Sequence, residues 1–211
     1  MTARPVLDLV PRVATDADAD LVTNVLVDAF RHDPMWSTWA FRRRRTRRAN
    51  RYAVFGAFVA GALRYPTTWI APGDTAVAMW IPPGGTGLTS EQEVRLEADL
   101  RVRLGADEAG RVLQSLDRFV EVEPTEPHYY LSLLGTDPAH AGRGYGRQLL
   151  KHNLAIVDAE YAAAYLDCAD EMVPLYERFG FRVIGSIDLP DGPRSNGMWR
   201  PPHPVAPPLH P

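Results

Sequence analysis

Hydrophobic residues along the chain follow two spacings, one typical of helices and one typical of buried strands. Apolar positions three and four apart predict helices at about 15–30, 46–65, 90–104, 107–121, 144–159 and 173–179. Short apolar runs between turn residues predict strands near 9–14, 68–70, 75–81, 129–135, 163–168, 181–188 and 195–200. Because the two kinds of element are mixed along the chain, the pattern predicts an α/β (α+β) fold in which helices cover a sheet.

Composition narrows the class of protein. With 211 residues and 45% hydrophobic content, the chain fits a single domain over residues 1–200. The proline-rich end at 201–211 is expected to be a disordered tail. Cys168 is the only cysteine, which excludes an internal disulfide or a multi-cysteine zinc site, and no metal is expected. Without a leader or an apolar run of membrane-spanning length, the chain is expected to be cytoplasmic and not membrane-bound.

The segment at 131–150 carries the clearest chemical signal. An apolar strand pattern runs into a turn marked by a proline, then into Gly142, Gly144 and Gly146, and then into a helical pattern. Free backbone N–H groups and the positive end of the helix dipole meet at such a helix start, which suits a phosphate group. The glycine spacing matches neither a dinucleotide fold nor a P-loop. A purely structural turn is the alternative.

Two motifs resemble those of the GCN5-related N-acetyltransferase (GNAT) superfamily. Asp137-Pro138, the three alternate glycines and Leu149-Leu150 are similar to its acyl-CoA pyrophosphate loop. The stretch PLYERFGFRV at 174–183 resembles its second signature, a short helix with a tyrosine followed by Gly-Phe and a strand. The resemblance implies a central mixed, mostly antiparallel sheet that is splayed at the acetyl-CoA site and flanked by helices. It also implies an acyltransferase.

Four further segments resemble the puromycin N-acetyltransferase-like subgroup of that superfamily. They are 15–30, 77–82, 126–131 and 189–198. The match is poorest at 31–65 and 86–122, where the helices of this family that face the substrate usually vary. The resemblance implies transfer of an acetyl group from acetyl-CoA directly to the amine of a small molecule, such as an antibiotic or a toxic metabolite.

The resemblance also assigns residues to the cosubstrate. A bulge in the strand before the glycine loop, at 133–135, would free a backbone N–H for the thioester oxygen. Arg143 and Arg147 could neutralise phosphates, although solvated helix residues are the alternative. The residues expected to contact acetyl-CoA are Leu134, Gly135, Thr136, Ala141, Gly142, Arg143, Gly144, Tyr145, Gly146, Arg147 and Tyr176.

Acetyl transfer also needs acid and base groups. Tyr176 is the candidate acid for the departing thiolate, because the matching tyrosine of the family points at the CoA sulfur. Candidate bases are His128, Glu126 and Asp167, with an ordered water as the alternative. Cys168 reads as a buried strand thiol and not as a nucleophile. The resemblance further implies an acceptor pocket that uses Phe30, Trp36, Trp80, Tyr129 and Asp191, with Asp33 or Glu126 as further partners of a cationic amine.

An arginine run at 42–51 is the strongest competing signal. It holds seven of the 23 basic residues, which leaves 16 basic against 26 acidic residues, a charge of −10, elsewhere. The run could bind nucleic acid or an acidic partner, or it could be a solvated helix entry. The acidic balance makes nucleic acid an improbable partner. A non-catalytic acyl-CoA-binding module and an interaction domain are the alternatives to an enzyme, and either a monomer or a homodimer is compatible with the sequence.

Overall fold

A seven-stranded sheet forms the centre of the molecule in the computed structural model, which describes residues 10–203. The strands are β1 Arg12–Val13, β2 Thr68–Ile70, β3 Ala76–Ile81, β4 His128–Thr136, β5 Ala163–Ala169, β6 Arg182–Asp188 and β7 Arg194–Arg200. Their order is β1-β2-β3-β4-β5-β7-β6, and only β4 and β5 run parallel. The predicted mixed, mostly antiparallel sheet is therefore confirmed.

Helices cover both faces of this sheet. They are α1 Ala19–Ala29, α2 Arg47–Ala62, α3 Ser90–Leu104, α4 Ala106–Val122, α5 Tyr145–Ala159 and α6 Val173–Glu177. One core lies between the sheet and α1 to α4, around Leu26, Phe55 and Met79. The other core lies between the sheet and α5 and α6, around Trp80, Leu150 and Leu166. A strand residue therefore contributes to one core or the other according to its parity.

Most predicted elements appear with ends displaced by one to three residues. The first strand is shorter than predicted, Arg12–Val13, and its predicted start at Leu9 lies outside the described residues. The helix expected from Thr15 begins only at Ala19, after a tight turn in which the Asp18 carboxylate accepts from the Thr15 N–H at 2.8 Å. A π-helical turn at Pro34–Trp39 was not predicted. Most of the expected tail, residues 204–211, also lies outside the described residues.

Two sequence interpretations change with the fold. The β-bulge of β4 is at Ser132, because Met79 pairs with Leu133 while Trp80 pairs with Leu131. The predicted location at 133–135 is wrong, since these residues pair regularly with β3. Gly135 serves close packing instead. A Cβ there would lie 2.9 Å from the Ala29 Cβ, so the glycine lets α1 press against β4.

The arginine run is divided between buried and exposed positions. Arg51 is buried, and its guanidinium donates to the carbonyls of Val27 at 2.8 Å and Trp36 at 3.3 Å. Arg48 pairs with Asp28 on α1. The arginines at 42–45 are exposed. Arg51, from a buried position, and Arg48, from an exposed one, therefore link α2 to α1, whereas the arginines at 42–45 face solvent.

Within residues 10–203, no helix has both the length and the apolar character that crossing a membrane requires. The same residues contain no group of three or more His, Cys, Asp or Glu side chains placed to hold a metal ion.

Candidate active site

The two parallel strands at the centre of the sheet separate along their length. β4 and β5 pair from His128 with Ala163 to Leu131 with Leu166, and no further pair follows. Beyond this point each strand turns an unpaired edge toward the space between them. Unpaired N–H and C=O groups of a strand edge can pair with any extended chain that enters, so the gap is suited to a ligand with amide groups.

A cleft of about 2070 Å³ occupies this gap and continues along the molecule. It runs from the glycine turn before α5, past the separated strands and α6, to a wall formed by α3 and α4. The α3–α4 pair lies between β3 and β4 in the chain, so an insertion in one strand connection supplies this wall. The cleft thus has one end at a helix N-terminus and the other beneath a helical hairpin.

The glycine turn has the geometry of an anion cradle. Gly142 and Gly144 adopt φ values of 72° and 88°, which side chains disfavour, and no atom lies within 3.8 Å of a Cβ built at either. Gly146 has a packing role, because a Cβ there would lie 2.7 Å from Thr136 Oγ1. Helix α5 is 15 residues long and its first N–H groups have no partner within the helix. The turn can therefore hold a pyrophosphate with backbone groups.

Nine of the eleven residues predicted to contact acetyl-CoA line this cleft. Ala141 and Arg143 do not line it, and both are exposed. Arg147 is exposed at the cleft edge, beside the glycine turn, without an ion-pair partner among residues 10–203. The predicted phosphate loop and the separated strands therefore form one continuous surface.

Tyr176 reaches the cleft from α6. Its side chain is buried, and its ring packs edge-on against Phe181 with centroids 5.9 Å apart. Burial raises the pKa of Tyr176 above its ordinary value, with smaller contributions from Cys168 and Asp167. The phenol therefore remains protonated near neutral pH and can donate a proton.

Asp167 directly follows Leu166, the last residue of β5 that pairs with β4, and it lines the cleft. Its Oδ2 accepts a hydrogen bond from the Tyr130 hydroxyl at 2.7 Å. Burial raises the pKa of Asp167 to about 6, and the nearby Glu123 adds to this effect, while the Tyr130 hydrogen bond opposes it. A carboxylate with a pKa near 6 is ionised at pH 7 and can still take up a proton.

The other two candidate bases lie outside the cleft. His128 is buried behind it, between the rings of Tyr165 and Trp199, and Nε2 lies 3.3 Å from a Glu123 carboxylate oxygen. Burial lowers the pKa of His128, but the hydrogen bonds with Glu123 and the Glu126 carbonyl outweigh this and raise it overall. The Glu126 side chain is exposed at the strand entry. Neither side chain lines the cleft between the separated strands.

The predicted acceptor residues divide between the two faces of the sheet. Phe30, Trp36 and Asp33 line the cleft. Trp80 is buried on the opposite face, where its Nε1 donates to Asn153 of α5 at 3.1 Å. Tyr129 belongs to the same core and donates to Glu160 at 2.7 Å. Asp191 lies in the turn between β6 and β7 and is not part of the cleft lining.

Tyr130 and Glu123 are cleft residues that the sequence interpretation missed. The sequence did contain a signal for Tyr130, because alternate residues of a strand lie on the same face of the sheet. His128 and Tyr129 were both predicted for the site, but neighbouring residues of a strand lie on opposite faces. Tyr130, two residues after His128, shares its face. Glu123 follows α4 in a region with no matching motif, so no sequence signal indicated it.

Cys168 lines the cleft without being reactive. Its Sγ lies 3.5 Å from the Met198 Sδ, and burial raises its pKa to about 12. A thiol of this kind is not ionised at neutral pH, and the thiolate is the nucleophilic form. The cleft therefore offers no activated cysteine for a covalent acyl intermediate.

Away from the glycine turn, the lining of the cleft is mostly acidic. Its acidic lining residues are Asp33, Glu93, Glu97, Asp117, Glu123, Asp167 and Glu171, against the arginines Arg101, Arg147 and Arg194. Arg101 is paired with Glu97 at 2.7 Å, and Arg194 is near Asp188 at 3.7 Å. Arg147 lies at the glycine turn. The cleft therefore has a cationic group at its phosphate end and excess negative charge at the other.

Comparisons with known proteins agree with this geometry. Residues 104–183 match a family model described as an acetyltransferase (GNAT) domain. A structure described as histone acetyltransferase HPA2 and related acetyltransferase, from Corynebacterium glutamicum, is 25% identical with a TM-score of 0.67, and the match covers 94% of this chain and 98% of that one.

Two more distant structures share the fold. A polyamine N-acetyltransferase from Drosophila melanogaster has 17% identity and a TM-score of 0.62, with coverage of 91% of this chain and 98% of that one. A mosquito arylalkylamine N-acetyltransferase-like protein has 15% identity and a TM-score of 0.58, with coverage of 92% and 100%. The family match is limited to residues 104–183, and the fold is shared over nearly the whole chain. Together they indicate that the chain is an acyltransferase.

Proposed function

We propose that the protein transfers the acetyl group of acetyl-CoA directly to the amine of a small cationic molecule. The observation that carries this proposal is the separation of β4 and β5 beyond Leu131 and Leu166, between the glycine turn and Tyr176. The pyrophosphate of acetyl-CoA would bind the backbone of the turn at 142–147, and its pantetheine arm would pair with the free edge of β4. The thioester would then lie near Tyr176 and Asp167.

The chemistry follows from the groups around that position. Asp167 takes a proton from the attacking amine, and the nitrogen forms a bond to the carbonyl carbon. The bulge at Ser132 leaves backbone N–H groups of β4 to stabilise the oxyanion. As the bond between carbon and sulfur breaks, Tyr176 gives its proton to the thiolate and is reprotonated from solvent.

A cationic acceptor is proposed from the charge of the cleft. Five of its acidic residues have no basic partner within 4 Å among residues 10–203, namely Asp33, Glu93, Asp117, Asp167 and Glu171. Apolar side chains from Phe30, Leu116 and Phe119 line the same end. An amine with an apolar body would satisfy both features. The polyamine and arylalkylamine enzymes named above share the fold with this chain.

The test is thiol release from acetyl-CoA with a panel of amines that includes puromycin, polyamines, arylalkylamines and basic peptides. We expect release with one class of cationic small molecule. Release with basic peptides alone would contradict the small-molecule assignment, and absence of release with any amine would contradict acetyl transfer. The puromycin-like subgroup, the antibiotic role and the cytoplasmic location remain predictions.

Cosubstrate binding has its own test, with calorimetry of CoA on two glycine variants. Gly144→Val is expected to raise the Kd for CoA at least about tenfold, since a branched side chain would force the cradle from its left-handed conformation. Gly84→Val is the control. Gly84 has a similar φ of 76° and open surroundings, but it does not line the cleft. Equal affinities for the two variants would contradict the cradle.

A further inference from the structure

Tyr130 and Tyr165 form a matched pair of tyrosines at the centre of the sheet. They are direct partners in the parallel register of β4 and β5, and their ring centroids lie 5.8 Å apart. Both lie in the paired part of β4 and β5, just before the strands separate. The two side chains therefore differ mainly in what their hydroxyl groups contact.

Only the hydroxyl of Tyr130 makes a hydrogen bond. It donates to Asp167 Oδ2 at 2.7 Å, whereas the buried hydroxyl of Tyr165 has no hydrogen-bond partner among residues 10–203. The Tyr165 hydroxyl lies beside Gly197, where a Cβ would be only 2.8 Å away. Tyr130 also lines the cleft, and Tyr165 does not.

The bond from Tyr130 to Asp167 crosses the point at which the strands divide. Tyr130 lies one residue before the last pair, Leu131 with Leu166, and Asp167 lies one residue after it. No other side chain donates a hydrogen bond to this carboxylate among residues 10–203. A carboxylate held through Oδ2 by a group in the paired part of the sheet keeps a fixed orientation, and its Oδ1 has no side-chain donor among residues 10–203.

We propose that Tyr130 is a positioning residue that holds the Asp167 carboxylate in the orientation needed to accept the proton of the amine. This inference rests on the proposed function, in which Asp167 is the base. In the attack step, an ammonium N–H proton passes to Asp167 Oδ1, the freed electron pair forms the bond between nitrogen and the carbonyl carbon, and the carbonyl π electrons move onto the oxygen. The oxyanion then collapses, the C–S bond breaks, the thiolate takes the Tyr176 proton, and the second proton on nitrogen passes to water. The Tyr130 O–H bond stays intact throughout.

The surroundings of Asp167 define the sign of the expected effect. The titratable groups that interact electrostatically with it are Tyr130 from β4, Glu123 after α4, Tyr165 and Cys168 from β5, and Tyr176 from α6. Burial and Glu123 raise the pKa of Asp167, and the hydrogen bond from Tyr130 lowers it. Removal of that donor must therefore raise the pKa, so the base becomes protonated at a higher pH.

The experiment compares the pH dependence of kcat, at saturating acetyl-CoA and amine, in four proteins: the wild type, Tyr130→Phe, Tyr165→Phe and Asp167→Asn. Tyr130→Phe is expected to move the acidic limb upward by about one to two pH units, the usual strength of a hydrogen bond to a charged group. At pH 6 its kcat should be about tenfold lower than that of the wild type. Tyr165→Phe should follow the wild-type curve, and thermal unfolding of both variants checks their folding.

The outcomes separate the inference from the proposal on which it rests. If Tyr130→Phe follows the same curve as Tyr165→Phe while Asp167→Asn loses about a hundredfold in kcat, the positioning role of Tyr130 is wrong and the base assignment survives. If Asp167→Asn keeps both the wild-type kcat and the acidic limb, both are wrong. A shift in Tyr130→Phe alone, with Asp167→Asn impaired, supports the inference.

Discussion

Single side chains in the cleft show which parts of the site were readable from the sequence. Tyr176 was predicted from its place in PLYERFGF, and the structure puts it in the cleft. Trp80 and Tyr129 were expected there too, but both lie in the opposite core. The face on which a strand residue lies depends on register, and a motif of apolar and aromatic residues on a doubly covered sheet does not reveal that register.

The phenol of Tyr176 leads to a direct prediction. Tyr176→Phe should lower kcat by about one to two orders of magnitude, because a positioned general acid contributes on this scale, and it should change the KM for acetyl-CoA by less than about threefold. Stopped assays of thiol release measure both constants. Tyr161→Phe, at an exposed position, is the control. A kcat within twofold of the wild type would remove Tyr176 from the mechanism.

Asp167 carries a stability cost that depends on pH. Its pKa is about 6 in the folded protein and near 3.8 when unfolded, so the folded state holds the proton more tightly between these values. The buried charge therefore lowers the free energy of unfolding by its full amount above pH 6, and this loss disappears below about pH 4. Asp167→Asn should raise the free energy of unfolding by about 1 to 3 kcal/mol at pH 8.

Urea unfolding of the wild type and Asp167→Asn at pH 8 and pH 4.5 measures this difference. The gain should shrink toward zero at the lower pH, since the wild-type carboxyl is then protonated in the folded state. An asparagine can still accept the hydrogen bond from Tyr130, so the substitution changes charge more than packing. A gain that is equal at both pH values would show that the charge of Asp167 is not its source.

The short helix α6 depends on the strand and helix that hold its end. Arg200 of β7 is buried and donates to the Phe179 carbonyl at 2.8 Å and, through both terminal nitrogens, to the Asp158 carboxylate at the end of α5. The N–H groups of Phe179 and Phe181 both donate to the Tyr176 carbonyl. A five-residue helix is marginal by itself, so these contacts set the position of Tyr176.

Removal of the Arg200 guanidinium is expected to lower both the stability and the turnover of the protein. Arg200→Met should cost about 3 kcal/mol in the free energy of unfolding, because it leaves the Asp158 carboxylate and the Phe179 carbonyl without their donor. The kcat should fall while the Kd for CoA stays within about threefold. Arg194→Met, at the other end of the same strand and exposed, should cost less than about 0.5 kcal/mol. Equal losses in the free energy of unfolding for the two variants, measured with denaturant, would contradict this role of Arg200.

Helices and strands were better predicted than the features that join them. Amphipathic spacing located α3, with its Thr89–Gln92 capping bonds, and α4 to within a residue or two. The bulge was misplaced because a glycine in a strand indicates a bulge or a close contact equally well, and Gly135 serves the second. The separation of β4 from β5 was predicted from the family resemblance alone, because the point at which two strands separate leaves no periodic pattern in the sequence.

Across the whole molecule, charge is separated on a larger scale than the sequence suggested. The run at 42–51 looked like one basic site, but Arg51 and Arg48 are used to hold α1 and α2 together. The acidic residues that were scattered through the chain come together on the cleft wall, brought there from α3, α4, β5 and the turn before α6. Long-range convergence of this kind depends on the tertiary structure, so composition could give only its overall sign.

This separation leads to a prediction about ionic strength. If the acidic cleft attracts a cationic acceptor, the KM for that amine should rise several-fold between about 0.02 and 0.5 M salt, because screening shortens the reach of exposed charges. The double variant Glu93→Gln/Asp117→Asn should start with a higher KM and show a flatter response. Both side chains line the cleft, and neither has a basic partner within 4 Å among residues 10–203.

Conversion of Arg44 and Arg45 to glutamine, outside the cleft, is the control for a change of charge and should leave the salt dependence of KM unchanged. Parallel slopes for the acidic double variant and the wild type would show that binding of the amine does not depend on this field, and that apolar contacts to the α3–α4 wall select the acceptor.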